Sequence, residues 1–336
     1  MFVRQRSFFL PLLFVAVVCF TVSPASVDAQ EKVKASYLGT SGGQAPLWIA
    51  SDLGLFKKFG LEVEVIYVPG GAIATQALIA NEIQFILGQG FTSIVAALSG
   101  ADPVIVATFY NQNPYSFVTT SRIAQPSDLI GKKIGVLSIG SVNSLVVEMA
   151  LKHWRIDESK VFVLRAGSTR ERVQSLTSGN LDATVVTSEE VRRVRKAGLK
   201  ILLDLGDVGS SLPMTSVTVR RSFLKGKTDI VARFLKATSE AGRIYQTEKE
   251  RSLKVVAKWT RLSDREALED IYQSYSQTIS VPPKTHLAGV QMILDFMGKS
   301  RPEAKQAKAQ DFVDEGVLLE LEKEEFFRFI KSKGSK

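Results

Sequence analysis

Two segments of this chain share one pattern, and the second begins 98 residues after the first. Residues 34–85 align with residues 132–183 without a gap, so that Gly42, for example, pairs with Gly140. Identical pairs are few, but apolar positions and small-residue loops coincide along the alignment. The repeat therefore predicts two lobes of one design. Small ligands bind preferentially in the clefts between such lobes, so we look for function in the loops of the repeat.

The first 29 residues form a separate unit. Two arginines precede an apolar run from Phe8 to Phe20, and small residues surround Asp28, which is the pattern of a secretory signal peptide cleaved near Ala29. A membrane anchor and a lipoprotein linked through Cys19 are the alternatives. The apolar run is short for a membrane span, and the residue before Cys19 is not small. We therefore predict the fold for residues 30–336.

Export would place the mature protein in a bacterial periplasm. Cys19 is the only cysteine, so the mature chain would contain neither a disulfide nor a thiol nucleophile. The formal net charge is +9, but basic residues are interspersed with acidic ones, as in Glu248-Lys249-Glu250-Arg251. We therefore expect no nucleic-acid partner. A mild attraction for anionic ligands is the most that this charge indicates.

The rest of the sequence alternates short apolar strands with helices. This pattern predicts an α/β fold in which each lobe is a mostly parallel sheet flanked by helices. We predict lobe 1 from residues 30–115 and 216–336, and lobe 2 from residues 116–215. Two extended segments, Tyr110–Thr119 and Pro213–Val219, are expected to join the lobes as a hinge. The tail is expected to fold back onto lobe 1 as five helices: Ile230–Thr247, Arg251–Trp259, Arg265–Gln277, Leu287–Met297 and Val317–Ile330.

Ligands of open parallel sheets bind beyond the carboxyl ends of the strands, where the repeat predicts six loops rich in Gly, Ser, Thr and Gln. Most of these loops lead into a helix, whose first N–H groups suit a carboxylate, sulfonate, phosphate or nitrate. Ordinary turns and helix caps use the same residue types, so only the convergence of several loops favours a ligand site. The matched pairs are Gly39–Gly43 with Leu137–Ser141, Val68–Gly71 with Ala166–Thr169, and Gly88–Gly90 with Val186–Ser188.

Individual residues in and beside these loops are candidate ligand contacts. Gln44, Gly71, Gln89 and Thr187 lie within the loops or directly after them. Arg165 ends a strand on the same side and would bind an anion through two hydrogen bonds. A solvated surface arginine is an equal alternative at that position.

Aromatic and acidic residues near the predicted hinge add further candidates. Tyr110 and Tyr115 would stack on a flat ligand. Glu189 begins a helix, where the helix dipole alone favours an acid, but a cleft-facing Glu189 would indicate an amine or amide on the ligand. Because the second copy offers Asn143 and Arg165, we expect it to hold a charged end of the ligand.

Catalysis has little support in the sequence. The two histidines, His153 and His286, have no partner at metal-ligand spacing. A nucleophile elbow, a P-loop and a dinucleotide-binding fingerprint are all missing from the sequence. We therefore expect neither an enzyme nor a bound metal or cofactor.

Four sequence motifs resemble the solute-binding proteins of ABC transporters in the nitrate, sulfonate, taurine and thiamine-precursor group. The most specific is Ala45–Val65, which reads APLWIASDLGLFKKFGLEVEV. The other three are Ile79–Phe85 (IANEIQF), Asp128–Val136 (DLIGKKIGV) and Ser178–Ala183 (SGNLDA). The resemblance covers most of residues 33–240 and identifies no ligand.

The resemblance implies a type 2 periplasmic binding protein that closes on its solute and docks on a membrane permease. Its cleft loops match positions that we carry over as ligand candidates: Thr40, Ser41, Gly90, Thr92, Ser138, Ser141 and Asn143. Related fungal pyrimidine synthases use a cysteine-rich segment, which this chain lacks after Cys19.

The sequence as a whole predicts a monomeric periplasmic receptor that feeds an ABC importer. The expected ligand is a small organic anion such as a sulfonate or a carboxylate, with aromatic anions included, and the expected partners are ABC permease subunits in the inner membrane. The alternatives are a periplasmic enzyme or ligand sensor on the same fold, and a receptor for a pyrimidine-like thiamine precursor.

Overall fold

The structure, a computed structural model, describes residues 1–2, 31–208 and 211–333. The predicted signal peptide lies outside these residues apart from its first two. No helix in the described ranges is both long and apolar enough to cross a membrane. The same ranges contain ten strands: β1 (Glu31–Tyr37), β2 (Leu61–Tyr67), β3 (Phe85–Gly88), β4 (Pro103–Gln112), β5 (Tyr115–Thr119), β6 (Lys133–Val136), β7 (Phe162–Arg165), β8 (Ala183–Thr187), β9 (Lys200–Asp204) and β10 (Ser211–Arg220).

The strands form two five-stranded sheets, in the orders β2-β1-β3-β10-β4 and β7-β6-β8-β5-β9. In each sheet four strands run in one direction, and only β10 or β5 runs against its neighbours. The prediction of mostly parallel sheets in an α/β fold is confirmed. Each antiparallel strand is the one that enters its sheet from the other sheet.

Helices cover both sheets, as alternating strands and helices require. In the part of the chain that the structure describes, four short 3-10 helices add to them at Gly42–Gln44, Pro126–Leu129, Glu158–Lys160 and Ala309–Phe312. The α-helices in the described ranges are α1 (Ala45–Asp52), α2 (Leu55–Lys58), α3 (Gly71–Ile79), α4 (Gly90–Leu98), α5 (Val142–His153), α6 (Thr169–Thr177), α7 (Ser188–Lys196), α8 (Arg221–Gly226), α9 (Thr228–Thr247), α10 (Lys249–Thr260), α11 (Arg265–Ser276), α12 (Leu287–Met297), α13 (Pro302–Gln306), α14 (Gly316–Lys323) and α15 (Phe326–Lys333).

The two sheets repeat one plan at the spacing seen in the sequence. The bounds of α3 and α6 differ by 98 residues at both ends, and those of α4 and α7 do so too. The strand orders correspond position by position, with β5 in the second sheet taking the place of β10 in the first. The loops that precede these helices are therefore structural equivalents.

We call the first sheet and its helices lobe 1, and the second sheet with α5, α6 and α7 lobe 2. The chain crosses to lobe 2 between Gln112 and Tyr115 and returns between Asp204 and Ser211. The first crossing lies inside the expected segment Tyr110–Thr119. Pro213–Val219 is instead part of β10, which pairs with β3 and β4. The second crossing therefore comes earlier than expected.

The helical tail packs mainly on lobe 1. Phe234 of α9 stacks on Phe85 with ring centroids 3.9 Å apart and on Phe56 with centroids 5.2 Å apart. Burial of a Phe side chain contributes about 1.5–3 kcal/mol, so this cluster fixes α9 against β3 and α2. From this base, α11 reaches across to lobe 2.

Candidate functional site

A cavity of about 180 Å³ lies between the two lobes at the carboxyl ends of their strands. Thirteen described residues line this inter-lobe cavity, and none of them carries a charge. Recognition must therefore come from neutral polar side chains, aromatic rings and backbone groups. Six lining residues were predicted from the sequence: Ser41, Gln44, Gly71, Gln89, Tyr110 and Thr187. The other seven are Leu38, Gly39, Gly70, Pro114, Met214, Thr215 and Tyr275.

Three helices begin at the wall of this cavity. They are α3, α4 and α7, which directly follow the lining residues Gly70, Gln89 and Thr187. None of these three helices has a side chain that caps its first turn through a hydrogen bond. The first N–H groups of a helix have no partner within the helix, and its dipole favours an anion there. In contrast, the start of α6 is closed by a capping box between Ser168 and Glu171. Other described helices, such as α5 and α12, also begin without a side-chain cap, so α3, α4 and α7 are distinguished by their position at the cavity. Among the three, only α7 carries acids in its first turn, Glu189 and Glu190.

The first loop of lobe 1 is tightly packed and presents polar side chains to the cavity. Ser41 accepts a hydrogen bond of 3.2 Å from the backbone N–H of Gly43. A Cβ atom on Gly42 would lie 2.5 Å from Ile271, so only glycine fits at that position. Gln44 is 6% exposed, and its Oε1 has no hydrogen-bond partner among the described residues. A buried amide oxygen without a partner is costly, so a donor on a ligand would stabilise it.

The lobes meet at a hydrogen bond between Tyr275 of α11 and Glu189 of α7. The Tyr275 hydroxyl donates to Oε1 of Glu189 and accepts from Ser41 Oγ at 3.1 Å. Burial, and then the Glu189 carboxylate, raises the pKa of Tyr275 well above its usual value. The second carboxylate oxygen, Oε2, is buried and has no hydrogen-bond partner among the described residues. Glu189 therefore lies between the lobes, but it lines the adjoining groove between α7 and α11 and is not among the residues that line the cavity. On the sequence alone, a cleft-facing Glu189 indicates an amine or amide on the ligand.

Two more tyrosines complete the aromatic wall. Tyr110 lines the cavity, and its ring centroid lies 5.0 Å from that of Tyr275. Tyr115 is buried, and its hydroxyl interacts with the side chains of Gln89 in lobe 1 and Asn143 in lobe 2. Burial raises the pKa of Tyr115 to about 12, and burial likewise raises that of Tyr110. Both phenols are therefore neutral donors at physiological pH.

The other candidates from lobe 1 lie behind or outside the cavity. Thr40 is exposed and lines an adjoining groove between α7 and α11. Gly90 starts α4 and packs against Ile105. Thr92 lies next to Gly71, and its hydroxyl is 3.3 Å from that of Thr75.

The other candidates from lobe 2 surround the start of α5 and the end of β7. Ser141 Oγ donates to the carbonyl of Ser138 at 2.6 Å, which shapes the loop itself. Asn143 is 5% exposed and reaches Tyr115. Arg165 is exposed at the end of an edge strand and is not among the residues that line the cavity. Of the three lobe 2 loops, only Val186–Ser188 therefore contributes to the cavity wall.

Sequence reasoning missed Tyr275. Its spacing marks it as one of several apolar positions of a tail helix, and nothing local sets it apart from Tyr272 on the same helix. Only the packing of α11 against the first loop brings it to the cavity. Glu189 was singled out because it begins a helix next to a predicted cleft loop.

Ion pairs join the lobes on both sides of the cavity. On one side, Arg192 of α7 contacts three carboxylates of lobe 1 at 2.9–3.5 Å: Asp264, Glu266 and Asp270. On the other side, Lys299 of lobe 1 contacts Glu148 at 2.7 Å and Glu158 at 3.1 Å, both in lobe 2. The two lobes are thus in direct contact with each other beside the cavity.

A metal site finds no support in the described ranges, which contain no cluster of three or more His, Cys, Asp or Glu side chains that could bind an ion. His286 instead lies 3.2 Å from the hydroxyl of Ser211.

Comparison with known proteins places the chain in a family. A family model described as "NMT1/THI5 like" matches residues 42–248, more than half of the chain. The taurine-binding periplasmic protein of Escherichia coli (strain K12) is 28% identical over 193 residues, which is 56% of this chain and 59% of that protein. The chain spans less than two thirds of the length of the curated relatives it matches.

Solved structures share the fold at lower sequence identity. The periplasmic aliphatic sulphonate binding protein SsuA from Escherichia coli superposes with a TM-score of 0.71 and 18% identity, over 84% of this chain and 92% of SsuA. The desulfurization enzyme DSZB superposes with a TM-score of 0.65 and 15% identity, over 90% of this chain and 99% of DSZB. Binding proteins and an enzyme thus share this architecture.

Proposed function

The chain belongs to the NMT1/THI5-like family and has the periplasmic binding protein fold, and on that premise we propose that it is the solute-binding component of an ABC import system. It captures a small organic anion in the inter-lobe cavity and delivers it to permease subunits in the inner membrane. The mature protein acts in the periplasm as a monomer, after removal of residues 1–29.

The observation that carries this proposal is the set of uncapped helix N-termini around an uncharged cavity. The first turns of α3, α4 and α7 supply N–H groups from both lobes. Such groups stabilise a carboxylate or sulfonate without a lysine or arginine in the wall. Because lobe 1 provides α3 and α4 while lobe 2 provides α7, an anion at their centre favours closure of the lobes.

The size of the cavity limits the ligand. A cavity of about 150 Å³ is enough for benzene, and this one has about 180 Å³. A short-chain sulfonate or a small aromatic acid has comparable volume. Larger dyes, sugars with several rings and peptides are excluded in the closed arrangement.

Glu189 indicates what the other end of the ligand carries. Its Oε2 atom is buried without a hydrogen-bond partner among the described residues, and an isolated buried carboxylate oxygen is costly. An ammonium or amide N–H on the ligand would pair with it. We therefore expect a ligand with an anionic end at the helix N-termini and a donor at Glu189, such as a small aminosulfonate.

Calorimetric titration of the mature protein tests the ligand class. The panel contains taurine, ethanesulfonate, benzoate, an aminopyrimidine and a monosaccharide. We expect one ligand molecule per chain, bound through its sulfonate or carboxylate group, with taurine binding more tightly than ethanesulfonate. Tight binding of only the monosaccharide overturns the proposal of an anionic ligand, and tight binding of only the aminopyrimidine supports the thiamine-precursor alternative.

An enzyme is the second candidate, because a desulfurization enzyme shares the fold. Mass spectrometry of the ligand after prolonged incubation with the protein distinguishes a receptor from an enzyme. A receptor returns the ligand unchanged. A desulfonated or hydrolysed product identifies an enzyme.

A further inference from the structure

Lobe 2 buries an arginine where lobe 1 buries an alanine. In lobe 1 a small apolar cluster fills the space between α3 and β3, and its members are Ala74, Leu78, Ile83 and Ile86. The residues 98 positions later in lobe 2 are Arg172, Leu176, Leu181 and Thr184. The packing site is the same in both lobes, so packing alone does not require the cation.

The guanidinium of Arg172 is held by four neutral acceptors. Its Nε donates to Thr184 Oγ1 at 2.9 Å, and its Nη1 donates to the carbonyl of Gly167 at 2.6 Å. Its Nη2 donates to Thr169 Oγ1 and to the carbonyl of Val185, both at 3.2 Å. Four of the five N–H groups of an arginine are thereby used, so the side chain has one fixed position.

No carboxylate forms an ion pair with this guanidinium. Arg172 is 2% exposed, and none of the ion pairs between described residues includes it. The nearest acid in sequence is Glu171, whose carboxylate accepts a hydrogen bond from the N–H of Ser168 in the capping box. Burial of an unpaired charge is costly, and burial lowers the pKa of Arg172 from its usual value. Tyr115 and the Glu171 carboxylate partly offset this effect of burial on the pKa of Arg172, but no carboxylate among the described residues makes direct contact with the guanidinium.

Strand β8 connects this charge to the wall of the inter-lobe cavity, because Arg172 donates to the carbonyl of Val185 and β8 ends at the lining residue Thr187. Gly167 belongs to the loop Ala166–Thr169, which is the lobe 2 equivalent of Val68–Gly71. Val185 lies two residues before Thr187, which lines the cavity. The charge also reaches Tyr115, whose pKa it lowers against the effect of burial. Arg172 is thus buried within lobe 2, beside a strand whose carboxyl end lines the cavity.

We propose that Arg172 is a positioning residue that gives lobe 2 a fixed positive potential at the inter-lobe cavity and so selects anions over neutral ligands. It acts through the loop at Gly167 and the end of β8, without contact with the ligand. This inference rests on the proposed function, since it deepens the anion selectivity of the same site. The sequence predicts that Arg165 attracts an anion to lobe 2 by direct contact. We assign the attraction to Arg172 instead, and it acts without contact.

A cysteine probe measures this potential without a ligand. The only native cysteine, Cys19, lies in the predicted signal peptide, so Thr187→Cys places a single thiol in the cavity wall of the mature protein. The thiol pKa is read from the pH dependence of its alkylation rate. The double variant Arg172→Ala/Thr184→Ile copies the lobe 1 pair Ala74 and Ile86 and removes the charge with packing that this architecture already accepts. We expect it to raise the thiol pKa by roughly 0.5–1 unit.

Two matched variants separate charge from structure. Arg172→Lys keeps the charge but loses most of the hydrogen bonds, so the thiol pKa stays near that of Thr187→Cys alone although stability falls. Arg165→Met removes an exposed cation at the end of β7, the strand before α6. We expect it to leave the thiol pKa unchanged. An unchanged thiol pKa in the double variant overturns the proposal, as does an equal rise in Arg172→Lys, which would show a purely structural role.

A comparison of two ligands distinguishes failure of the role of Arg172 from failure of the proposed function. In the background with native Thr187, the affinity for ethanesulfonate is compared with that for the neutral isostere ethyl methyl sulfone. Loss of Arg172 should lower the ratio of the two affinities roughly tenfold, and an unchanged ratio counts against anion selection. If the wild-type protein binds neither compound, the sulfonate ligand is wrong, whereas the thiol pKa still decides whether Arg172 acts on the cavity.

Discussion

The hydroxyl of Tyr275 donates a hydrogen bond to Oε1 of Glu189, and this bond joins a helix of lobe 1 to a helix of lobe 2. Hydrogen bonds to charged groups contribute roughly 1.5–3 kcal/mol. Because this one exists only when the lobes are closed, Tyr275→Phe should weaken ligand binding about tenfold or more. Calorimetric titration with taurine measures the loss.

Tyr272→Phe is the matched control for Tyr275→Phe. Tyr272 lies on the same helix, but its hydroxyl donates to the carbonyl of Gln246 at 3.4 Å and does not reach lobe 2. Its removal should leave the taurine affinity unchanged. Equal losses in the two variants would mean that the bond to Glu189 does not hold the closed arrangement.

The free carboxylate oxygen of Glu189 should discriminate between ligands with and without an amine. Glu189→Gln keeps the shape of the side chain but removes its charge. We expect the taurine affinity to fall several-fold more than the ethanesulfonate affinity, because only taurine has an ammonium group to lose its partner. Glu190→Gln is the control, since Glu190 forms an ion pair with Arg193 of its own helix. A parallel fall for both ligands would show that Glu189 does not contact the amine.

The ion pairs of Arg192 and Lys299 should make ligand affinity depend on salt. Exposed ion pairs each contribute roughly 0.2–1 kcal/mol and are screened by salt, and these join the two lobes. Arg192→Met should lower the taurine affinity about fivefold at low salt and much less at high salt. Arg265→Met is the control on α11, because its partners Glu250 and Glu269 lie in lobe 1. If the taurine affinity still depends on salt in both Arg192→Met and Lys299→Met, these ion pairs are not the cause of the salt dependence.

The buried tyrosines should make the protein sensitive to alkaline pH. Burial raises the pKa of Tyr115 to about 12, whereas tyrosine in an unfolded chain has a pKa of about 10. The folded protein thus holds this proton more tightly, so its contribution to stability is complete below pH about 10 and is lost as pH rises toward 12. The loss from Tyr115 alone is about 3 kcal/mol.

Urea unfolding across this alkaline range measures the effect. The free energy of unfolding should fall with pH, and the fall should be shallower in Tyr115→Phe than in wild type. Tyr67→Phe is the control, because that ring is exposed. A slope that Tyr115→Phe does not change would mean that this phenol ionises in the folded protein as it does in water.

The alternation of strands and helices could be predicted because its signals are local. Apolar runs, small-residue loops and the 98-residue repeat recur in the structure as two sheets with the same strand order. Local backbone strain was harder to foresee. The predicted helix Val317–Ile330 is interrupted at Glu325, whose φ of 59° is left-handed although no glycine marks the position. Helices α1 and α2 are likewise separated at Gly54, whose φ is 68°.

The candidate site was predicted well where loops form it and poorly where the tertiary fold does. Gly71, Gln89 and Thr187 reach the cavity because each directly precedes or begins a helix after a strand. Tyr275 reaches it only because α11 packs across both lobes, and Arg172 looks like a solvated helix residue until its burial is known. The positions of Tyr275 and Arg172 depend on packing between elements that are distant in the sequence. Local sequence patterns do not reveal such packing.

A cavity-filling substitution tests most directly whether the ligand binds between the lobes. Gly39 lines the cavity, and a Cβ atom there would meet no atom within 4 Å, so Gly39→Trp can occupy the cavity without disturbing the loop. Gly226→Trp, at an equally open position on α8, is the control. In calorimetric titrations with taurine we expect one site per chain in wild type and Gly226→Trp, and no binding in Gly39→Trp. Undiminished binding by Gly39→Trp would contradict a ligand site in this cavity.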